Sequence, residues 1–190
     1  QLVCPGAVLR LADDTGQGAT TSSALGSPRV DIASGQGDAT GTPAEQSDAG
    51  TGGTAAAPLI VSTPPDAADP TQRVLLSGAQ VEEVDESEFI GLAAAACTPV
   101  AGQSWLASGS TAVGRTTLLS LTNPTEVPAT VDLTIYGENG LVAAPGTSGI
   151  VVPSNGQRVL SLAGFAPDVE SPVVLVTSTG GQVAASLQQS

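Results

Sequence analysis

Cys4, Cys97, a run of acids from Glu82 to Glu88, Trp105 and Arg115 are the side chains that could do chemistry. They sit in a chain with no histidine, lysine or methionine. Cys4 lies in an apolar run from Leu2 to Leu11, and Cys97 closes a second run from Gly91 to Ala96. A zinc site takes about four ligands, usually Cys and His, so the missing histidines argue against metal. Two readings of the sulfur stand, a disulfide or a pair of buried thiols. The bridge is the expected state. It would close a loop of about 90 residues, worth roughly 4 kcal/mol in the chain-entropy model. It would also imply an oxidising, extracytoplasmic setting.

The missing histidine excludes Ser-His-Asp and Cys-His nucleophiles, and the missing lysine excludes Schiff-base chemistry. A glycosidase-type carboxylate pair needs two acids about 5–10 Å apart around a sugar. Such sites also use aromatic platforms, and the chain has one Trp, one Tyr and two Phe. The expectation is a protein that is not an enzyme and carries no cofactor.

The acids Glu82, Glu83, Asp85, Glu86 and Glu88 form the densest charge run. Oxygen ligands suit calcium, so one reading is a hard-cation site. The other is a solvated strand end or loop, because the spacing lacks an EF-hand loop. Asp13-Asp14, Asp31 with Asp38, and Gly35-Gln36-Gly37-Asp38 pose the same pair of readings. Trp105 is either a sugar-stacking platform or the main aromatic of the core. Arg115 either contacts an anionic polymer, or pairs with an acid or caps a strand edge. Asn123-Pro124 is no glycosylation acceptor, since proline fills the middle position.

Eighteen acids against five arginines give a net charge of −13, which repels phosphate backbones and anionic lipid. Nucleic-acid binding is therefore not expected. The charge is uneven, with 13 acids and three arginines in residues 1–103 and five and two in residues 104–190. No apolar stretch reaches the ~20 residues of a membrane-spanning helix. Gln1 begins inside a strand-like pattern with no cleavable signal, so a mature or trimmed fragment is expected.

Small and branched aliphatics must build any core, because aromatics make up 2 % of the chain against 41 % hydrophobic residues. With 23 Gly and 14 Pro, turns dominate over long helices. Residues 1–12 suit the first strand of the sandwich, which the bridge would include in the C-terminal fold. Residues 13–57 are almost wholly Ala, Gly, Thr, Ser, Asp and Gln, and bury too little apolar surface to offset their ordering entropy. A mobile, low-complexity acidic insertion is expected there, with a short strand at Val30-Asp31-Ile32. Residues 58–103 supply additional strands, at Pro58–Thr63, Arg73–Val84 and Asp85–Ala96. An Asp85/Glu88 capping box leaves a helix open for the last of these.

The pattern is clearest over residues 104–190. Val131, Leu133 and Ile135 alternate with polar residues, as do Val183, Ala185 and Leu187, the period-2 mark of half-buried strands. Asn139-Gly140 and Gly180-Gly181 signal tight hairpins. Short strands about ten residues apart indicate an all-β chain, an antiparallel Ig-like β-sandwich.

The segments Gly91-Leu92-Ala93, Cys97-Thr98-Pro99, Ser104-Trp105-Leu106, Val113-Gly114-Arg115, Leu121-Thr122-Asn123-Pro124 and Pro128–Leu133 resemble a family of actinobacterial extracytoplasmic proteins of unknown function. The opening Val3-Cys4-Pro5-Gly6 resembles that family's start. The resemblance covers residues 1–11 and about 90–190. It implies a secreted or membrane-anchored protein with Ig-like β-sandwich repeats. It also implies an anchor before this region and a further β domain after Ser190. No catalytic residues come with it. The implied role is a scaffold or interaction module whose partner is another envelope protein or a cell-wall component. The alternative is an adhesive module for a cation or a cell-wall glycan.

Overall fold

Val131, Leu133 and Ile135 point one way from their strand, and Leu119 and Leu121 of another strand meet them in a shared core. The computed structural model describes residues 1–11, 22–35, 38–46, 57–63, 74–86 and 89–190. In chain order its strands are β1 (Leu2–Cys4), β2 (Leu9–Leu11), β3 (Ser22–Ala24), β4 (Arg29–Ser34), β5 (Thr40–Pro43) and β6 (Glu45–Gln46). They continue with β7 (Leu59–Ser62), β8 (Leu76–Glu86), β9 (Phe89–Ala96), β10 (Thr98–Pro99), β11 (Gln103–Ala107) and β12 (Thr117–Asn123). The last are β13 (Ala129–Gly137), β14 (Gly140–Leu141), β15 (Ile150–Val152), β16 (Gly156–Ser161), β17 (Val173–Gly180) and β18 (Ala184–Gln189). One short 3-10 turn, Leu162–Gly164, precedes β17. The chain is all-β, in several largely antiparallel sheets.

Two of these sheets make the C-terminal half. One runs β11-β17-β13, with β14 and β15 also on β13; the other runs β18-β12-β16-β6. Their inward residues, among them Leu121, Val131, Ile135, Val152, Val174 and Val176, form one aliphatic core. Each buried Leu, Ile or Val contributes about 1.5–3 kcal/mol, so a largely aliphatic core with the half-buried Phe165 against it is sufficient.

The expected hairpin at Asn139-Gly140 is present: β13 and β14 pair Gly137 with Gly140, and Gly140 takes φ 99°. The expected hairpin at Gly180-Gly181 is corrected. β17 pairs with β13 and β11, whereas β18 pairs with β12 in the facing sheet. The two glycines therefore carry the chain across the core. Gly180 has φ 80°, and a Cβ there would lie 2.7 Å from the Pro128 carbonyl oxygen.

The N-terminal half has its own core. Leu2 and Cys4 of β1, Val61 of β7 and Cys97 pack with Val30 and Ile32 of β4 and Leu76 of β8. These residues join the sheet β10-β1-β7-β5 to the sheet β4-β8-β9. Cys4 and Cys97 are disulfide-bonded, with S–S 2.02 Å. Gly78 leaves room for the bridge, because a Cβ there would come within 2.9 Å of Cys97 Sγ.

This arrangement corrects the reading of residues 1–12 as the first strand of the C-terminal fold. β1 pairs with β7 and β10 instead. Of residues 58–103, Leu59, Val61, Leu76 and Cys97 pack in the N-terminal core, whereas Ala101 and Gln103 pair with residues of the C-terminal half. The described parts of 13–57 are also more ordered than their composition predicts, holding β3 to β6. β4 pairs with β8, β5 with β7, and β6 lies parallel to β16. Backbone pairing on already ordered strands needs no large side chains. The helix left open over Asp85–Ala96 is corrected for the described residues, since β8 takes in Asp85 and Glu86 and β9 takes in Phe89–Ala96.

Candidate functional site

The pleat of β8 decides the fate of the acidic run. Successive side chains point to opposite faces, so Gln80, Glu82 and Val84 turn inward while Val81, Glu83 and Asp85 face solvent. Glu82 is 2 % exposed. Its Oε2 accepts the Val8 N–H at 2.7 Å, while Oε1 is buried without a hydrogen-bond partner among the described residues. Burial pushes the Glu82 carboxyl above its ordinary value, and the Val8 hydrogen bond only partly opposes this. Gly26 covers it so closely that a Cβ there would lie 2.6 Å from Oε1.

Glu82 thus faces away from Glu83 and Asp85, and among the described residues no group of three or more His, Cys, Asp or Glu could hold a metal ion. Asp13, Asp14, Gly37 and Glu88 lie outside the described residues.

Sequence reasoning missed what the inward face of β8 does. Gln80 Oε1 accepts the Gly6 N–H at 3.0 Å, and its Nε2 donates to the Gly6 carbonyl at 2.6 Å. Gln188 on β18 does the same for Leu9, accepting its N–H at 2.8 Å and donating to its carbonyl. With Glu82 on Val8, three side chains from two sheets hold the backbone of Gly6–Leu9 as neighbouring strands would. Beneath this segment a cavity of about 180 Å3 opens toward Leu118, Val159 and Leu187. The available signal was a pair of polar residues, Gln80 and Glu82, at the inward phase of a strand.

Trp105 is placed outside the core. It is 58 % exposed on β11, and its ring stacks on Tyr136 with centroids 6.0 Å apart and planes at 29°. Register sets its surroundings on the outer face of the sheet. Trp105 is level with Leu175 and Thr134, while Gln103, Thr177 and Asp132 form the adjacent row. Asp132 is fixed by the Gly149 N–H, which donates to Oδ1 at 2.8 Å. The reading of Trp105 as the main core aromatic is corrected, because branched aliphatics fill that space.

Arg115 lies apart, in the other sheet's approach. It follows Gly114 (φ 79°) in an exposed loop, and its N–H donates to the Ala112 carbonyl at 3.0 Å. No acid pairs with its guanidinium among the described residues. The structure therefore does not gather Trp105, Arg115, Glu83 and Asp85 into one site.

A model of a family of unknown function, DUF5719, matches residues 47–190, well over half of the chain. The chain belongs to the DUF5719 family. The match takes in the whole C-terminal core and the strands from β7 onward that build the N-terminal one. No curated protein matches this DUF5719 chain. Among solved structures, an Anabaena sensory rhodopsin transducer aligns at 12 % identity with a TM-score of 0.37, over 48 % of this chain and 100 % of that chain. A likeness so slight bears on neither fold nor activity.

Proposed function

We propose that this DUF5719 chain is a non-enzymatic extracytoplasmic module of an actinobacterial envelope protein, with an Ig-like β-sandwich as its C-terminal core. It acts as an interaction domain, and its partner is a cell-wall glycan. The observation that carries this reading is the exposed Trp105–Tyr136 stack. A chain with 2 % aromatics sets its one tryptophan in solvent, beside the amide, hydroxyl and carboxylate of Gln103, Thr177 and Asp132. An aromatic face with polar neighbours offers a sugar ring both stacking and hydrogen bonds. The Cys4–Cys97 bridge supports an oxidising compartment. Among the described residues no helix is long and apolar enough to cross a membrane.

Sedimentation with purified cell wall tests the reading. Wild-type protein is expected in the pellet and Trp105→Ala in the supernatant, with melting temperatures matching. Equal retention of both proteins would refute it.

A further inference from the structure

The ribbon formed by β8 and β9 projects beyond its neighbour. β4 starts at Arg29, opposite Val81, so among the described residues Glu82–Glu86 is flanked in its sheet only by β9. β9 is the outer strand of that sheet and has one partner among the described residues. Its outward side chains are apolar and bare: Ile90 is 80 % and Leu92 72 % exposed. Gly91 between them meets nothing within 4 Å on its would-be side-chain direction. Such an edge is a template for a further strand.

The charges around the edge are one-sided. Glu83 stands directly across from Leu92, and Asp85 from Ile90, both exposed on the same face. We propose that the Phe89–Leu92 edge of β9 docks an extended segment of a partner protein in which aliphatic and basic residues alternate. An added strand would lie about 4.8 Å from β9, placing its outward side chains beside Ile90 and Leu92. Glu83 and Asp85 are then two strands away, about 10 Å. A lysine or arginine stem can lie over the intervening aliphatic and bring its charge to the carboxylate. A second copy of this chain is the poorer occupant, since its net charge of −13 opposes self-association. The aromatic face of β11 and β13 plays no part.

A synthetic nonapeptide alternating lysine and valine is the probe, and its glutamate–valine counterpart the control. Fluorescence anisotropy should show binding of the first and none of the second, weakening markedly between about 50 and 300 mM salt. Leu92→Lys and Ile90→Lys change exposed positions, so the melting temperature should hold while affinity falls about tenfold or more. Glu83→Gln with Asp85→Asn should weaken binding and flatten the salt dependence. Hydrogen exchange should slow at Phe89–Leu92 when the peptide is present. Trp105→Ala should leave all of this unchanged, which separates this test from that of the glycan face. Equal binding of the two peptides, unaltered binding by Leu92→Lys, or protection confined to another strand would overturn the proposal. Concentration-dependent dimerisation abolished by Leu92→Lys would also overturn it, assigning the edge to a second copy.

Discussion

Gln188 and Leu9, 179 residues apart, exchange two hydrogen bonds: the Leu9 N–H donates to Gln188 Oε1, and Gln188 Nε2 donates to the Leu9 carbonyl. The last strand of the C-terminal core thus grips the segment that follows the first strand of the N-terminal one. Gln80 repeats the geometry on Gly6. These amides satisfy backbone groups of Gly6 and Leu9, and an unsatisfied buried group costs about 1–3 kcal/mol.

Gln188→Ala should therefore destabilise the protein by about 1–3 kcal/mol in urea unfolding. Amide exchange at Leu9 should accelerate while Leu119 and Leu121 stay protected. Unchanged exchange at Leu9 would show that the amide clamp holds nothing.

Reduction of Cys4–Cys97, or Cys97→Ser, should cost roughly 4 kcal/mol by the same assay, from the freed loop entropy of the unfolded chain. The loss should appear in the N-terminal core first, since Leu2, Val61 and Leu76 pack around the bridge. Near-ultraviolet signal from Trp105, in the other half, should survive mild reduction longest.

Glu82 predicts a pH signature. Its folded carboxyl titrates above the ordinary 4.5, so the native state holds its proton more tightly than the unfolded chain. That contribution is full below 4.5 and is lost as pH rises through the raised value. Glu82→Gln should hence gain stability relative to wild type as pH goes from 4 to 7. A difference in melting temperature that stays flat across this range would contradict the assignment.

Much of the C-terminal core was legible because its strands alternate. Val131, Leu133 and Ile135 announce their inward face, and Asn139-Gly140 announces a turn, both local signals. β4 was legible at Val30-Asp31-Ile32, whereas β5 and β6 were hidden because residues such as Thr40, Gly41 and Gln46 pair by backbone on strands distant in sequence, β7 and β16. The Gly180-Gly181 corner has the composition of a hairpin, and only the sheet partners of β17 and β18 distinguish the two. The site was less legible still. Gln80 and Gln188 matter for what they reach across the fold, and no spacing encodes that. Trp105 was visible as a residue, but its exposure depends on which other side chains fill the core.

The corner offers a paired test. Gly180→Ala adds a Cβ 2.7 Å from the Pro128 carbonyl oxygen at φ 80°, whereas Gly149→Ala meets open space at φ 73°. Left-handed backbone alone costs about 1–2 kcal/mol for an L-residue. Gly149→Ala should stop there, and Gly180→Ala should exceed it. Equal costs would mean that the crossover is not tightly packed.

The central claim is that Trp105 and Tyr136 form a glycan-binding face. Trp105 is the chain's single tryptophan, so its fluorescence reports on that face alone. Titration with soluble cell-wall glycan fragments should change its emission saturably. Tyr136→Ala, which keeps the reporter, should weaken the response. A flat titration at millimolar fragment, with the same glycan held elsewhere on the protein or not at all, would contradict the account.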